Sequence, residues 1–279
     1  MRIKATIIGG KGQMGRWLGR FFERHKCDVM LIGRNDDPKK AVSDADIVVI
    51  SVPIEATCDV IREVGPLIKE SSLLMDVTSI KEKPIEAMLK YSKAEVVGTH
   101  PVFGPYVSTF RNQTMVICPG RGEKWREWLI KMLLKEGAKL KISTAADHDK
   151  MMSVIQSVTH FSSITLSHVW ERMGVNVMQG EEYSSPTYRL NMDVIGRLLY
   201  QNPYLYAQIC INNEYSLKAI KAYLEECTKL YSIIKDKNIE EFATYFKHGS
   251  DYFQEFNKEA FEYTNYLIET LAKRRVKKK

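Results

Sequence analysis

A glycine-rich turn near the amino terminus constrains the fold of this chain more than any other feature. An apolar, β-branched run at 3–9 leads into Gly10, Gly12 and Gly15, spaced as G-x-G-x-x-G, and a helical stretch at 13–25 follows. In such a strand–turn–helix unit the glycines permit a tight turn, close approach of a pyrophosphate, and close packing of helix on strand. The free N–H groups of the helix then face the phosphates. We therefore predict a dinucleotide site formed by Gly10, Lys11, Gly12, Gln13, Met14 and Gly15.

The chain changes character near residue 144. Before this point short β-branched runs alternate with helical stretches, which predicts a parallel, doubly wound sheet with helices on both faces. The predicted strands are 3–9, 29–32, 47–52, 72–76, 95–98 and 114–118, and the predicted helices between them include 13–25, 54–68, 84–91 and 123–135. Long segments with apolar residues at helical spacing follow, at 147–173, 186–200, 203–235 and 239–274.

These patterns divide the chain into three parts. We predict a Rossmann-type α/β domain over 1–143, an all-α domain over 144–272 and a disordered basic tail over 273–279. Six of the 41 basic residues lie in the tail, and the formal charge of +7 therefore leaves +1 for the rest of the chain. We expect no nucleic-acid binding, because no basic stripe occurs elsewhere.

Composition excludes several other classes of protein. An apolar fraction of 44% with 27% charged residues is ordinary for a globular protein and excludes disordered and collagen-like chains. No stretch approaches the about 18 unbroken apolar residues of a membrane span, and the first apolar run is too short for a signal peptide. We expect an intracellular, cytoplasmic protein with no membrane contact. The five scattered cysteines contain no C-x-x-C pair that would indicate zinc or redox chemistry.

The end of the second predicted strand bears on the choice of cofactor. In NAD-binding units an acidic residue at this position accepts hydrogen bonds from the ribose hydroxyls. Here the strand ends in Gly33 and Arg34, which removes a repulsive carboxylate and supplies a cation for a 2′-phosphate. This favours NADP, although Asp36 and Asp37 follow closely and leave NAD open. The residues that end the third strand at the same sheet edge are also predicted to line the cofactor site: Ser51, Val52 and Pro53.

Candidates for the chemistry follow the next two strands. His100 lies in the segment Gly98-Thr99-His100-Pro101, which we predict to be a rigid loop at the carboxyl edge of the sheet. A histidine there can act as a general base at neutral pH, and a structural histidine is the alternative. Ser79 could hydrogen-bond the histidine ring or cap a helix, and Lys81 could meet a substrate anion or lie in solvent.

The helical half supplies cations and further histidines. Arg189 and Arg197 are eight residues apart on one predicted helix and can project from nearly one face. Two guanidinium groups would suit a dicarboxylate, and surface ion pairs are the alternative. His148 and His160 need not share a helix face, and a buried, structural histidine is the default for each.

Taken together, five segments resemble the prephenate dehydrogenase family of tyrosine biosynthesis. They are Gly-Gly-Lys-Gly-Gln-Met-Gly, Asp-Val-Thr-Ser-Ile-Lys, Gly-Thr-His-Pro-Val-Phe-Gly-Pro, His-Asp-Lys-Met-Met with a later Thr-His-Phe, and Ser-Ser-Pro-Thr-Tyr-Arg with a later Ile-Gly-Arg. The match is ordered, spans both halves and is nearest to the dehydrogenase part of the bacterial chorismate mutase–prephenate dehydrogenase fusions. We expect a stand-alone dehydrogenase.

The resemblance implies a role for each matching residue. His100 would accept the proton of the ring hydroxyl of prephenate while hydride leaves the same carbon for the nicotinamide, and loss of the ring carboxylate then aromatises the ring. Ser79 would orient His100, with Lys81 beside them. Arg197 would bind a substrate carboxylate with Arg189 as a nearby cation.

The resemblance also implies roles for the remaining histidines and for the helical half. His160 would lie near the pyruvyl side chain or a tyrosine-sensing region, and His148 would be mainly structural. The helical half would bind substrate and form a homodimer, and no metal is needed. The residues leave open whether tyrosine acts as an inhibitor.

Alternatives remain at this point. Arogenate differs from prephenate only in an amino group where prephenate has a keto group, so an arogenate dehydrogenase is not distinguished. A 3-hydroxyacid dehydrogenase would need a catalytic lysine on a helical-domain motif and would not explain His100 and Pro101. A non-catalytic NADP-binding regulator would keep the glycine turn but has no need for Ser79, His100 and Arg197 together.

Overall fold

The computed structural model describes residues 2–276. The chain forms two compact units. The first contains the residues up to Ser157 together with Tyr204–Ser216, and the second contains Val158–Pro203 together with the residues from Leu217 onward. Each unit is described separately.

A seven-stranded sheet forms the centre of the first unit, with the strand order β2-β1-β3-β4-β5-β6-β7. Strands β1 to β5 are parallel, β6 runs antiparallel to β5, and β7 is parallel to β6. This confirms the predicted Rossmann-type sheet, with β6 and β7 as an added reversed pair. The strands are β1 Lys4–Ile8, β2 Asp28–Ile32, β3 Ile47–Ile50, β4 Leu73–Asp76, β5 Glu95–Pro101, β6 Thr114–Arg121 and β7 Lys139–Ile142.

Helices cover both faces of this sheet, because alternate apolar side chains of the buried strands point to opposite sides. One face packs against aromatic residues that include Trp17, Phe21 and Trp125, and the other packs against aliphatic residues that include Ile61 and Met88. The helices of the first unit are α1 Gln13–Arg24, α2 Lys39–Asp44, α3 Ile54–Val64, α4 Glu82–Tyr91, α5 Lys124–Lys135, α6 Ala145–Met152 and α10 Pro203–Asn212.

The second unit consists of helices joined by turns, as predicted, and contains no strand among its described residues. Two of the long predicted helices are broken: one between α10 and α11, and one at Gln254, whose φ of 49° is incompatible with a continuous helix. The helices of this unit are α7 Thr159–Arg172, α8 Val177–Glu182, α9 Pro186–Leu199, α11 Ser216–Lys235, α12 Ile239–Phe253 and α13 Phe256–Val276.

The compact units and the boundary predicted at 143/144 differ. The segment 144–157 and the helix α10 belong to the unit that contains the sheet, since Ala145 contacts the aliphatic core and Ile209 of α10 forms a small core with Ile54 and Ile80. The chain passes from α6 to α7 through one π-helical stretch, Ser153–Val158. Strand β7 and helix α2 are absent from the sequence prediction, because both are short and mostly exposed.

Two further predictions concern the ends and the membrane. Helix α13 continues through Val276, so the first part of the predicted disordered tail is helical and the remainder, 277–279, lies outside the described residues. No helix within residues 2–276 is both long enough and apolar enough to cross a membrane.

Candidate active site

The register of the parallel strands brings the predicted motifs to one edge of the sheet. Ile8 pairs with Ile50, Ile50 with Asp76, and Asp76 with Gly98, so the turns that follow β1, β3 and β4 begin at the same level. Strand β5 continues beyond this level, because β6 pairs with it through Pro101. In folds of this kind ligands bind at the carboxyl ends of the strands.

The glycine turn has the shape that a pyrophosphate requires. A Cβ atom on Gly15 would lie 2.5 Å from the Gly9 carbonyl oxygen, and one on Gly10 would lie 2.6 Å from the Ile7 carbonyl oxygen, so neither position accepts a side chain. Gly12 precedes α1 with no side-chain cap, and the first turn of α1 contains no acidic residue. The first amides of α1 therefore face outward with a positive dipole end, which fits a dinucleotide phosphate.

The other predicted cofactor residues surround this turn. A Cβ on Gly9 would lie 2.2 Å from the Ser51 carbonyl oxygen, so the turn packs directly on the end of β3, where Val52 is half-buried and Pro53 is exposed. Arg34 is exposed, and it has no hydrogen-bond or ion-pair partner within the described part of the chain. The structure thus brings together the glycine turn, the end of β3 and the end of β2.

His100 lies on a strand and not in a loop. It pairs with Val116 across β5 and β6, and only 2% of its surface is exposed. The sequence prediction of a loop fails here because Pro101, which lacks an N–H group, is tolerated near the end of a strand. The antiparallel partner extends β5 past the neighbouring parallel strands and thereby carries His100 beyond the sheet edge.

A chain of two histidines and one carboxylate fixes the ring of His100. Its Nδ1 lies 2.9 Å from Nε2 of His148, and Nδ1 of His148 lies 2.7 Å from Oδ1 of Asp149. An ionised carboxylate only accepts, so Nδ1 of His148 carries a proton and its Nε2 accepts from His100. The Nε2 atom of His100 then holds a lone pair. That atom has no partner within residues 2–276 and is not among the polar atoms sealed from solvent.

Asp149 is anchored at the start of α4. Its Oδ1 accepts from the Lys81 backbone N–H at 2.8 Å, and its Oδ2 accepts from the Glu82 N–H at 3.0 Å. A carboxylate at a helix N-terminus is favoured by the helix dipole and satisfies otherwise unpaired amides. The amide of Asn213 also donates to the Asp149 carbonyl at 2.8 Å. The helix that carries His148 is therefore held firmly against α4.

The surroundings of His100 keep it neutral. Burial lowers the pKa of His100 well below its usual value of 6.5, and the neighbouring His148 and Lys81 lower it further. A neutral imidazole with an open Nε2 can accept a proton at physiological pH.

The structure corrects the predicted role of Lys81. This side chain is fully buried, forms an ion pair with the equally buried Asp76, and donates to the Thr99 carbonyl at 2.8 Å. A lysine buried without a counter-charge would be costly, and the carboxylate of Asp76 provides that charge. Lys81 therefore does not face a substrate anion and instead fixes the backbone next to His100.

The predicted contact between Ser79 and His100 is also corrected. His148, and not Ser79, meets the Nδ1 atom of His100. Ser79 is half-buried in the turn before α4, beside Thr78, whose hydroxyl donates to Asp76 and whose backbone N–H bonds the same carboxylate at 3.1 Å.

The remaining predicted residues lie on the second unit. Arg197 is exposed on α9, and His160 is half-buried at the start of α7, where burial lowers its pKa. Arg189 pairs with Glu181 and, at 2.9 Å, with Asp193. This matches the surface ion-pair alternative, and Arg189 is not carried forward as a substrate cation.

Sequence reasoning did not foresee the contacts of two residues at this site. Asp149 was given no role of its own and His148 a mainly structural one, although the two stand side by side in the sequence. The sequence signal for these contacts is the adjacent His148-Asp149 pair on a helix after the last strand. Only the tertiary structure places this pair next to His100.

Two protein-family models match this chain. The nucleotide-binding domain of prephenate dehydrogenase matches residues 21–142, and the dimerization domain of prephenate dehydrogenase matches residues 144–248. The chain belongs to the prephenate dehydrogenase family. The predicted resemblance is confirmed.

Two relatives are similar in sequence to this chain over most of its length. A Methanocaldococcus jannaschii protein named "Probable arogenate/prephenate dehydrogenase" is 33% identical over 95% of this chain and 64% of its own length. The T-protein of Enterobacter agglomerans is 34% identical over 91% of this chain and 68% of its own length. This family member thus spans about two thirds of the length of these relatives.

Solved structures share the fold of this family member. Prephenate dehydrogenase from Aquifex aeolicus, in complex with hydroxyphenyl propionate and NAD+, has a TM-score of 0.73 at 18% identity, covering 92% of this chain and 99% of that chain. Arogenate dehydrogenase from Synechocystis has a TM-score of 0.69 at 19% identity, covering 91% of this chain and 100% of that chain.

Proposed function

We propose that this chain converts prephenate to 4-hydroxyphenylpyruvate by oxidative decarboxylation. The observation that carries the proposal is the chain from Asp149 through His148 to His100, with an open Nε2 on β5 of the sheet whose first strand leads into the glycine turn. Membership of the prephenate dehydrogenase family supports the same reaction.

This arrangement supplies the proton acceptor that the reaction needs. His100 Nε2 accepts the proton of the ring hydroxyl, the C–O bond becomes a carbonyl, and the hydrogen of the same carbon leaves as hydride. The nicotinamide, when bound, supplies the hydride acceptor. The ring carboxylate then departs as carbon dioxide, its bonding electrons enter the ring, and the carbonyl oxygen takes up a proton to give the phenol. The proton on His100 is stabilised through His148 by the carboxylate of Asp149.

The substrate carries two carboxylates, and cations are needed to bind them. We assign one carboxylate to Arg197, which is exposed on α9, because a guanidinium binds a carboxylate through two parallel hydrogen bonds. His160 is assigned to the pyruvyl side chain, and burial supports a neutral, hydrogen-bonding imidazole there.

The proposed cofactor is NADP. The guanidinium of Arg34 is exposed and unpartnered within residues 2–276, and Gly33 adds no carboxylate at the strand end. A 2′-phosphate placed near Arg34 would gain a charge-assisted hydrogen bond.

We also propose a homodimer formed by the second unit. The family model that covers residues 144–248 describes a dimerization domain. A single copy leaves many large apolar side chains of this unit more than half exposed, and such surfaces mark interaction sites; they include Leu217, Tyr252, Phe246, Phe261 and Tyr266. Light scattering of the purified protein tests the assignment, and a monomer at micromolar concentration would refute it.

The reaction is tested by mixing the protein with prephenate or arogenate and with NAD or NADP, while recording the absorbance of the reduced nicotinamide. Rapid reduction of the nicotinamide in the presence of prephenate supports the proposal. The cofactor that is reduced faster identifies the cofactor preference. Reduction with arogenate alone would assign the amino-substituted substrate instead. Binding of cofactor without oxidation of either substrate would indicate the regulator alternative. Tyrosine added to the same assay tests feedback inhibition.

A matched variant tests the role of the base. His100→Asn is expected to abolish turnover and to leave cofactor affinity unchanged, because His100 lies on β5, which β3 and β4 separate from the strand that leads into the glycine turn. Turnover within tenfold of the unaltered protein would remove His100 as the base.

A further inference from the structure

An ion pair lies where the second strand meets the glycine turn. The Nζ atom of Lys11 lies 2.7 Å from Oδ2 of Asp36. The same Oδ2 accepts a hydrogen bond from the Gly33 N–H at 2.7 Å. Asp36 thereby places a carboxylate near the end of β2, three residues after the position at which NAD-binding units carry their acidic residue.

Lys11 and Gly33 are complementary in shape. A Cβ atom on Gly33 would lie 2.6 Å from Cδ of Lys11, so the stem of Lys11 fills the space that a strand-end acidic side chain would occupy. The residue in the glycine turn and the residue at the strand end therefore depend on one another, although 22 positions separate them in the sequence.

The pair remains accessible to a ligand. The side chains of Lys11 and Asp36 are 56% and 35% exposed, respectively. The second carboxylate oxygen, Oδ1 of Asp36, has no partner within residues 2–276. The Lys11 ammonium and then the Gly33 amide lower the pKa of the Asp36 carboxyl, which is therefore ionised at neutral pH.

We propose that the Lys11–Asp36 ion pair sets the selectivity between a ribose 2′-hydroxyl and a 2′-phosphate. Asp36 offers an acceptor to the hydroxyl, and Lys11 cancels the charge that would otherwise repel the phosphate. Arg34 alone cannot set the preference, because its attraction for the phosphate competes with an acidic group two positions away. The inference rests on the proposed dinucleotide site and deepens it.

Removal of the Asp36 charge and removal of the Lys11 charge are expected to shift cofactor selectivity in opposite directions. Selectivity is measured as the ratio of the Kd for NAD to the Kd for NADP, by calorimetric titration in the absence of substrate. Asp36→Asn is expected to raise this ratio about tenfold, because it removes both the hydroxyl acceptor and the repulsive charge. Lys11→Met is expected to lower the ratio about tenfold, because Asp36 is left as an uncompensated carboxylate.

A double variant distinguishes neutralisation of Asp36 from direct binding of the phosphate by Lys11. If Lys11 acts through Asp36, then Lys11→Met in the Asp36→Asn background changes the ratio by less than about threefold. An equal loss in both backgrounds would overturn the inference, since Lys11 would then meet the phosphate itself. An unchanged ratio in Asp36→Asn would also overturn it.

Matched controls separate this pair from general surface charge. Asp37→Asn removes the same charge one position later, where the carboxylate bonds the Lys39 N–H at 3.0 Å, and Lys40→Met removes an exposed lysine of α2. Both are expected to leave the ratio within about twofold. A shift in these controls as large as that in the pair variants would refute the assignment. Failure of the unaltered protein to bind either dinucleotide would overturn the proposed function itself, whereas binding without the opposite shifts would overturn only this inference.

Discussion

His148 provides the sharpest test of how the site works. In the structure it accepts from Nδ1 of His100 at 2.9 Å, and each of the two residues is only 2% exposed. Replacing His148 by phenylalanine keeps a ring in the same space and removes the acceptor. The proton on Nδ1 of His100 then has no partner, and the ring is no longer held in the form that leaves Nε2 open.

The expected loss of kcat follows from the free-energy cost of leaving the Nδ1 proton of His100 without an acceptor. A buried donor without an acceptor costs about 1–3 kcal/mol. Because about 1.4 kcal/mol corresponds to a tenfold change in rate, His148→Phe is expected to lower kcat about 5- to 150-fold. The KM for substrate and the affinity for cofactor should stay close to those of the unaltered protein.

A second variant separates hydrogen bonding from packing. His148→Gln offers an amide oxygen at similar reach to Nδ1 of His100 and is expected to recover part of the lost kcat. Both variants lose the bond to Asp149, which keeps its two backbone donors, so both should unfold at similar temperatures. Steady-state kinetics with either cofactor, together with thermal melts, provide the measurement. A kcat for His148→Phe within twofold of the original, or equal losses in both variants, would refute the reasoning.

Four further predictions concern charge and titration. Lys81→Met is expected to lower the free energy of unfolding by about 3–5 kcal/mol, because Asp76 is left as a buried, unpaired carboxylate, whereas Lys83→Met breaks an exposed pair worth at most about 1 kcal/mol; equal losses in guanidinium unfolding would contradict the role of burial. Because the pKa of His100 is depressed by burial, the acid limb of kcat/KM should lie below pH 6.5, and an acid limb at or above 6.5 would be inconsistent with a buried base. The same shift means that the unfolded chain binds the proton first, so stability should fall as pH drops below 6.5 towards the folded-state pKa of His100. Arg197→Ala should chiefly raise the KM for prephenate, and an unchanged KM would argue against carboxylate binding.

Local patterns in the sequence predict most of the architecture. The glycine turn, the β-branched runs and the change to helical spacing after residue 144 rest on interactions between near neighbours, and the structure confirms the fold class that they indicate. Short, exposed elements escape this reasoning. Strand β7 has only four residues, three of them exposed, and so short a segment gives too weak a pattern to predict a strand.

The sequence alone therefore determined the class of the fold, the turn before α1 and the identity of the catalytic candidate, because each depends on a few adjacent residues. Only the tertiary structure decided what His100 contacts. His148 lies 48 positions away and reaches it because Asp149 caps α4 and because β6 extends β5 past its neighbours. The same holds for Lys81, whose burial against Asp76 reverses the role that an isolated lysine suggests. The role of a charged side chain depends on its burial and on its partner, and both are fixed by contacts between segments that are distant in the chain.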